Sequence, residues 1–261
     1  MPPAHAHTQP TTPFAAPAPN PTAAILVIGN EVLSGRTADV NINFIARRLT
    51  DVGINLTEVR IVRDDEAAIV SAVNALRKAC TYVFSTGGIG PTHDDITMAS
   101  VAKAFGVAVV RNPRVEQQLR DYYGARLATP ALRMADYPAG ARLVPHGGTF
   151  APSCMMENVA ILAGSPRHMQ TMFEATLPLL AHGQPLYTKQ VDVWGMESQL
   201  ADGLAAIQSR FPQLDIGSYP YRHDDRYGTA LICRGTDPRA VDAAHADVLA
   251  LADKMGCEVR G

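Results

Sequence analysis

From residue 23 onward, short apolar runs alternate with segments of helical period. Ala24-Ile25-Leu26-Val27-Ile28 is a continuous apolar run closed by Gly29, the pattern of a strand buried on both faces. Ile42, Ile45, Ala46 and Leu49 then fall at i, i+3, i+4 and i+7, which makes one apolar face of a helix that Gly53 ends. Ile54 to Val62 reads as a second strand. Asp64, Asp65 and Glu66 place negative charge where a helix N-terminus favours it, and Ile69, Ala72, Val73 and Leu76 supply that helix's buried face. Tyr82-Val83-Phe84 is a third strand, followed by a glycine-rich turn and a helix to about Phe105. A short strand near Val107 to Val110, a helical segment from Arg114 to Tyr123 and a Gly/Pro-rich loop from Leu143 to Pro152 come next. A buried strand from Asn158 to Leu162 then runs through Ala163-Gly164-Ser165 into a helix whose first position suits Pro166. Alternating strands and helices require right-handed crossovers, so the expectation is an α/β fold with a doubly wound, mostly parallel sheet.

Beyond His182-Gly183-Gln184-Pro185 the rhythm shortens. Strands at 186–193, 214–219, 228–233 and 257–259 and helices at 197–211 and 239–255 follow in β-α-β-β-α-β order, a split βαβ unit. The expected organisation is therefore a tail over residues 1–22, a large domain over 23–181 and a small C-terminal α+β domain over 186–261. The tail holds seven prolines among Ala and Thr and reads as disordered. It has no basic segment leading into an apolar one, so it does not read as a secretory signal.

Charge and composition narrow the function. Lys and Arg number 23 against 25 Asp and Glu, which leaves no basic footprint for nucleic acid. No apolar run approaches the roughly 18 residues of a membrane helix, so no membrane role is expected. Cys80, Cys154, Cys233 and Cys257 lack C-x-x-C spacing and read as reduced structural thiols of a cytoplasmic chain, with Cys154 in a loop.

The chemistry concentrates at Ser85-Thr86-Gly87-Gly88-Ile89-Gly90-Pro91-Thr92-His93-Asp94-Asp95-Ile96-Thr97, between a buried strand and a helix. Ligands of open α/β sheets bind at that edge. Gly87, Gly88 and Gly90 let the backbone approach a ligand closely and aim N–H groups at it, which suits a phosphate or pyrophosphate. The same turn also serves as a plain strand-to-helix connection. Carboxylates beside a phosphate cradle repel it unless a cation lies between, so Asp94 and Asp95 imply Mg²⁺ or a similar hard ion. Adjacent helical residues point about 100° apart. One aspartate therefore reads as an N-cap, with Asp95 favoured as metal ligand and Asp94 open between cap and second carboxylate. Thr97 is suited to a phosphate oxygen or to its own backbone, and His93 to proton donation, phosphate contact or plain exposure.

A second cluster follows the first strand: Asn30, Glu31, Ser34 and Gly35, then Asp39 and Asn41. Glu31 suits a metal ligand or base. Asp39 and Asn41 suit a polar heterocycle or sugar, and Asp39 equally suits capping the next helix. Neither a complete G-x-G-x-x-G, a P-loop, nor a G-x-S-x-G elbow is present.

Ile28-Gly29-Asn30-Glu31-Val32-Leu33-Ser34-Gly35 with Asp39-Val40-Asn41, the Thr86 to Thr97 string and Leu162-Ala163-Gly164-Ser165-Pro166 resemble the molybdopterin-binding (MoaB/Mog-like) domain family. The likeness is strongest to the N-terminal part of competence/damage-inducible protein A and to the molybdopterin-binding-like domain of FAD synthase. It covers roughly Ala24 to Leu180, and residues from about Leu186 resemble the small domain that follows in competence proteins. The resemblance implies a pocket for a pterin or nucleotide pyrophosphate, with Gly87, Gly88 and Gly90 as phosphate turn, Asp95 as metal-side carboxylate and Glu31, Asp39 and Asn41 as polar wall. Gly164 belongs to the same motif set.

Three activities are compatible with that pocket. One is a metal-dependent nucleotide pyrophosphatase using Mg²⁺ or Co²⁺ on ADP-ribose or FAD, with Asp95, Asp94 and Glu31 at the ion. The second is a molybdopterin adenylyltransferase or carrier in molybdenum cofactor biosynthesis, and the third a non-catalytic binding or regulatory module. Asn30, Ala99 and Ser165 depart from the family's usual Asp or Thr, Glu and Val, and the first two favour the third reading. The sequence ends where competence proteins continue into an amidohydrolase domain, so nicotinamide-mononucleotide deamidation is not expected. Relatives imply a homo-oligomer, a dimer or trimer.

Overall fold

The computed structural model describes residues 19–147 and 151–260. The larger unit opens with β1 (Thr22–Ile28), a short α1 (Asn30–Leu33), α2 (Asn41–Asp51), β2 (Asn55–Val62), α3 (Glu66–Ala79), β3 (Tyr82–Thr86) and α4 (Thr97–Phe105). It continues through β4 (Val109–Arg111), α5 (Pro113–Tyr123), two 3-10 turns, β5 (Asp136–Pro138), β6 (Arg142–Val144), β7 (Ser153–Met156), β8 (Val159–Leu162) and α6 (Pro166–Thr176). Six strands form one sheet in the order β2-β1-β3-β8-β7-β6, and β4 pairs with β5 alone. The pairs β1–β2, β1–β3 and β3–β8 are parallel, whereas β6–β7 and β7–β8 are antiparallel. The doubly wound, mostly parallel α/β fold read from the sequence is the one observed.

Strand alternation explains the two cores. Ala24, Leu26 and Ile28 of β1 pack with Ile69, Val73 and Leu76 of α3 and Val101 of α4. Their neighbours Ala23, Ile25 and Val27 point to the other face, against Ile45 and Leu49 of α2 and Met169 and Phe173 of α6. Phe173 meets Phe84 and Phe44 edge to face, with ring centroids 5.1 and 6.1 Å apart.

Two sequence expectations change here. The loop placed over Leu143 to Pro152 begins inside β6, and Cys154 sits on β7 rather than in a loop, paired with Leu143 and Ile161 and wholly buried. The β7–β8 hairpin turns at Glu157, whose φ is 50°, without the Asn-Gly or Asp-Gly signal that marks such turns. Burial pushes the Cys154 thiol up to about 12, and all four cysteines are free and buried. Thiolate is the reactive form. The native protein at pH 8 is expected to resist a disulfide-exchange reagent at Cys154 and to yield all four thiols only after denaturation. Rapid native labelling of Cys154 would contradict this placement.

Residues 1–18 of the expected tail lie outside the described residues, but its end is structured. Thr22 belongs to β1, and the Asn20 amide holds both the carbonyl and the N–H of Gln184, at 2.9 and 2.8 Å. Gly183 N–H donates to Val52 O, so the chain leaves the larger unit stapled to the end of α2.

The second unit comprises β9 (Tyr187–Trp194), α7 (Glu197–Arg210), β10 (Asp215–His223), β11 (Arg226–Gly235), α8 (Pro238–Lys254) and β12 (Glu258–Val259). Its antiparallel sheet has the order β10-β11-β9-β12, as the split βαβ pattern requires. Val191, Val193, Leu231 and Cys233 face Leu200, Leu204 and Ile207 of α7 and Val241 and Val248 of α8.

Candidate functional site

The carboxyl ends of β1, β3 and β8 lie side by side, since Val27 pairs with Thr86 and Thr86 with Leu162. Three connections leave this edge: Gly29 into α1, the Gly87 to Ile96 turn into α4, and Ala163 to Ser165 into α6. They enclose a cavity of about 420 Å³.

Each glycine in the central turn has a steric reason. Gly87 has φ +105°, and a Cβ there would overlap the Ile28 carbonyl oxygen. Gly88 has φ +65° and leaves room for the Thr97 hydroxyl, while a Cβ at Gly90 would stand 2.6 Å from Asp95 Oδ2. Gly87 N–H is engaged by Leu162 O at 3.2 Å. The N–H groups of Gly88, Ile89 and Gly90 make no backbone hydrogen bond among the described residues. They remain as donors for an anion.

Thr97 has a structural role and no ligand-facing one. It is fully buried, its hydroxyl donates to Gly87 O at 2.8 Å and its N–H to Gly88 O at 3.0 Å, so it locks the turn onto the start of α4. Neither aspartate caps that helix, contrary to the sequence reading. The N-cap is Ile96, which makes no side-chain bond, and the intervening residues form an irregular turn. Asp95 instead accepts from Thr92 N–H at 2.8 Å and from the Thr92 hydroxyl, closing residues 92–95 on themselves. The Thr92 hydroxyl has a single proton; the bond geometry assigns it to Asp95, yet its reach toward Asp94 is the leading cause that holds the Asp94 carboxyl below the usual carboxylate range. Asp94 and Asp95 both line the cavity. His93 is almost wholly exposed and is not among its walls.

Of the second cluster, only Glu31 reaches the main cavity. Gly29 makes space for it, because a Cβ there would meet the Glu31 carboxylate. Ser34 is exposed, donates to Glu31 O at 3.2 Å at the end of α1, and stays outside. Asp39 accepts from Ile42 N–H at 2.8 Å and so caps the start of α2. Asp39 and Asn41 line a smaller neighbouring cavity of about 60 Å³ that shares Ile28, Glu31, Gly87 and Gly164 with the first. Asn41 is buried, and its amide donates to Gly164 O at 2.8 Å. Asn41 Oδ1 and Thr86 Oγ1 are buried there without a partner among the described residues. Such groups cost about 1–3 kcal/mol each unless a ligand or water completes them.

Asp64, Tyr137, Ser165 and His168 also line the cavity and were not singled out as site residues from sequence. Asp64, read only as helix-end charge, accepts from Asn30 N–H at 2.9 Å and lines the wall. Tyr137 arrives on β5, and burial pushes its hydroxyl pKa upward. Ser165 and His168 arrive at the start of α6, Ser165 Oγ lying 2.7 Å from His168 Nδ1. Their i, i+3 spacing at a helix start was the available signal. The wall thus holds the carboxylates Glu31, Asp64, Asp94 and Asp95 and no Lys or Arg among the described residues. These oxygen donors do not converge into a metal cage, since no group of three or more His, Cys, Asp or Glu among the described residues is placed to hold an ion. They fit the other mode of Mg²⁺ binding, in which one or two carboxylates share the ion with ligand phosphates.

Residues 24–182 match the family described as Probable molybdopterin binding domain. The chain belongs to that family. In this molybdopterin-binding-domain protein, residues 185–258 also match the FAD synthase middle domain. A protein from Archaeoglobus fulgidus is 31% identical over 196 residues, 75% of this chain and 84% of the relative. A CinA-like protein from Syntrophus aciditrophicus is 33% identical over 210 residues, 75% of this chain but only 50% of that protein. Among solved structures, the protein CinA from Thermoplasma acidophilum is similar with a TM-score of 0.57 and 32% identity, covering 62% of this chain and 98% of that one. The MoaB/Mog-like, CinA-like character read from the motifs is therefore shown. No helix among the described residues is long and apolar enough to cross a membrane.

Proposed function

We propose that the main cavity binds a nucleotide or pterin pyrophosphate through a shared divalent cation, and that the protein is a metal-dependent nucleotide pyrophosphatase acting on a dinucleotide such as ADP-ribose or FAD. The observation that carries this reading is the pairing of opposites in one wall. Backbone donors at 88–90 suit phosphate oxygens, yet four carboxylates surround them without a Lys or Arg among the described residues. An anionic ligand enters such a wall only with a cation. The match to a middle domain of FAD synthase supports a dinucleotide as ligand.

In this reading Asp94 and Asp95 would hold the ion, with Glu31 as a further carboxylate lining the same cavity. Mg²⁺ or Co²⁺ bound there would neutralise the diphosphate and draw charge from the phosphorus under attack. The chain's own part is positional. Thr92 fixes the Asp95 carboxylate, Thr97 and Leu162 fix the turn, and the N–H groups of residues 88–90 orient the phosphates. The orphaned Asn41 Oδ1 and Thr86 Oγ1 lie beside this path and suit a polar group of the ligand's sugar or base.

The family description favours a second reading, a molybdopterin adenylyltransferase or carrier. Purified protein incubated with ADP-ribose, FAD, or ATP plus molybdopterin, each with Mg²⁺ or Co²⁺, separates the two. AMP release from ADP-ribose or FAD supports the pyrophosphatase. Adenylylated molybdopterin with no AMP from the dinucleotides would replace it by the second reading, and binding without turnover of any kind by a regulatory module.

A further inference from the structure

The main cavity has an apolar wall that neither ion binding nor phosphate orientation employs. It is made by Met98 of α4, Met134 of the 3-10 turn Thr129–Ala135, Tyr137 of β5, Ala151 and Pro152, together with Ile89 of the phosphate turn itself. All but Pro152 belong to, or pack against, the core on the α3 and α4 side of the sheet. Contacts join several of them directly. The Cys154 thiol donates to Met98 Sδ at 3.9 Å, and burial first and the nearby Cys154 thiol second push the Tyr137 hydroxyl pKa upward. That hydroxyl donates in turn to Pro152 O at 3.0 Å. Side chains of one core cluster that also line one cavity give it a continuous apolar surface.

This surface is tied to the phosphate donors at two places. Ile89 stands between Gly88 and Gly90, so an apolar side chain and the N–H groups suited to phosphate share three consecutive residues. Arg133, next to Met134, donates from Nη1 to Thr92 O at 3.4 Å, which fastens the methionine's segment to the turn that carries Asp94 and Asp95. A ligand seated on the donors therefore has apolar wall within reach of whatever its diphosphate carries. Ligand cavities commonly combine such a wall with a few polar groups that fix orientation. Methionine suits a flat ring in particular, because its unbranched chain adapts to the ring's face and its polarizable sulfur attracts aromatic systems. The Tyr137 hydroxyl proton is already given to Pro152 O, so what Tyr137 offers a ring is chiefly its own aromatic surface.

We propose that Met98, Met134 and Tyr137 form a ring subsite, and that it takes the adenine of an adenosine diphosphate, the half that ADP-ribose and FAD share. This rests on the reading of the cavity as a diphosphate site. The labour then divides along the ligand. The turn and the ion hold the diphosphate, and the wall removes the base from water. The three side chains supply affinity for nucleotides over bare phosphates and take no part in bond making or breaking.

The test is calorimetric titration of the full chain, with Mg²⁺ present, by ADP and by ribose 5-diphosphate, which keeps the sugar and both phosphates and lacks the ring. ADP is expected to bind about 30-fold more tightly, the scale of effect that one base packed on apolar and aromatic side chains produces. Met98→Gln and Met134→Gln keep the length of the side chain and make it polar. Each should lower ADP affinity about fivefold and leave ribose 5-diphosphate affinity within about twofold of the parent, whereas Met98→Leu and Met134→Leu should retain the preference for ADP. Melting curves establish that each variant is folded, and the parent's comparison of the two ligands stands whatever the variants do. Equal affinity of the parent for both ligands, with binding still dependent on Mg²⁺, would overturn the ring subsite and leave the diphosphate site standing. Unchanged ADP affinity in both Gln variants, or equal weakening of both ligands, would also overturn it, the first placing the ring elsewhere and the second making the methionines supports of the turn. Binding of neither ligand, with or without Mg²⁺, would remove the diphosphate reading and the subsite together.

Discussion

Gly87→Ala is expected to cost the protein about 3 kcal/mol or more in folding stability and to reduce ADP-ribose binding at least about 100-fold, because two independent penalties fall on one residue. The backbone there has φ +105°, a region that L side chains rarely adopt. The added Cβ would also collide with the Ile28 carbonyl oxygen, and that carbonyl cannot yield. It ends β1, a central strand paired on one side with β2 and on the other with β3. The alternative is for the turn to shift, which breaks the bonds from Gly87 N–H to Leu162 O and from the Thr97 hydroxyl to Gly87 O. Either adjustment misaligns the N–H groups of 88–90. Gly106→Ala supplies the control: its φ is +68°, but a Cβ there meets nothing within 4 Å. It should cost only about 1 kcal/mol and leave binding intact. Urea unfolding and calorimetric titration of both variants check the comparison, and parental binding by Gly87→Ala would refute the assigned turn.

The second large effect belongs to Asp95, where charge and architecture can be separated. Asp95→Asn can keep an oxygen toward Thr92 N–H and the Thr92 hydroxyl while removing the charge. It is expected to keep the parent's melting temperature within a few degrees but to lower cation-dependent turnover roughly 100-fold, equivalent to about 2.7 kcal/mol of transition-state stabilisation. Asp95→Ala removes the anchor as well, so the 92–95 turn loosens and thermal stability falls along with activity. Kinetics and melting curves of the two variants, measured in parallel, distinguish these contributions. Full turnover by Asp95→Asn would transfer the ion to Asp94 and Glu31.

Much of the fold is legible because it depends on local pattern. The both-faces burial of Ala24 to Ile28 dictates a central parallel strand. The shortened rhythm after Pro185 dictates the split βαβ unit, which recurs with the sheet order such units have. What escapes the pattern is set by partners distant in sequence. Residues 153–156 form a strand only because β8 accepts them antiparallel across a turn at Glu157 that carries no usual hairpin signal. The site shows the same division. The glycines and carboxylates between Gly87 and Asp95 are visible as a motif. The division of labour within it is not, since Thr97 serves the backbone of Gly87 and Thr92 rather than the helix takes Asp95; the Asp39 cap of α2, by contrast, is legible from its place just before that helix. Asp64, Tyr137 and the Ser165–His168 pair enter the cavity from three segments whose meeting in space no spacing announces.

In the proposed function the Gly87 to Gly90 turn and the carboxylates beside it bind a diphosphate through a shared divalent ion. Calorimetric titration of ADP-ribose into the protein, with Mg²⁺ and with chelator, tests it most directly. The expected result is one site whose affinity falls at least about tenfold when the ion is removed and falls likewise in Asp95→Ala with the ion present. Equal affinity in all three titrations would contradict the claim.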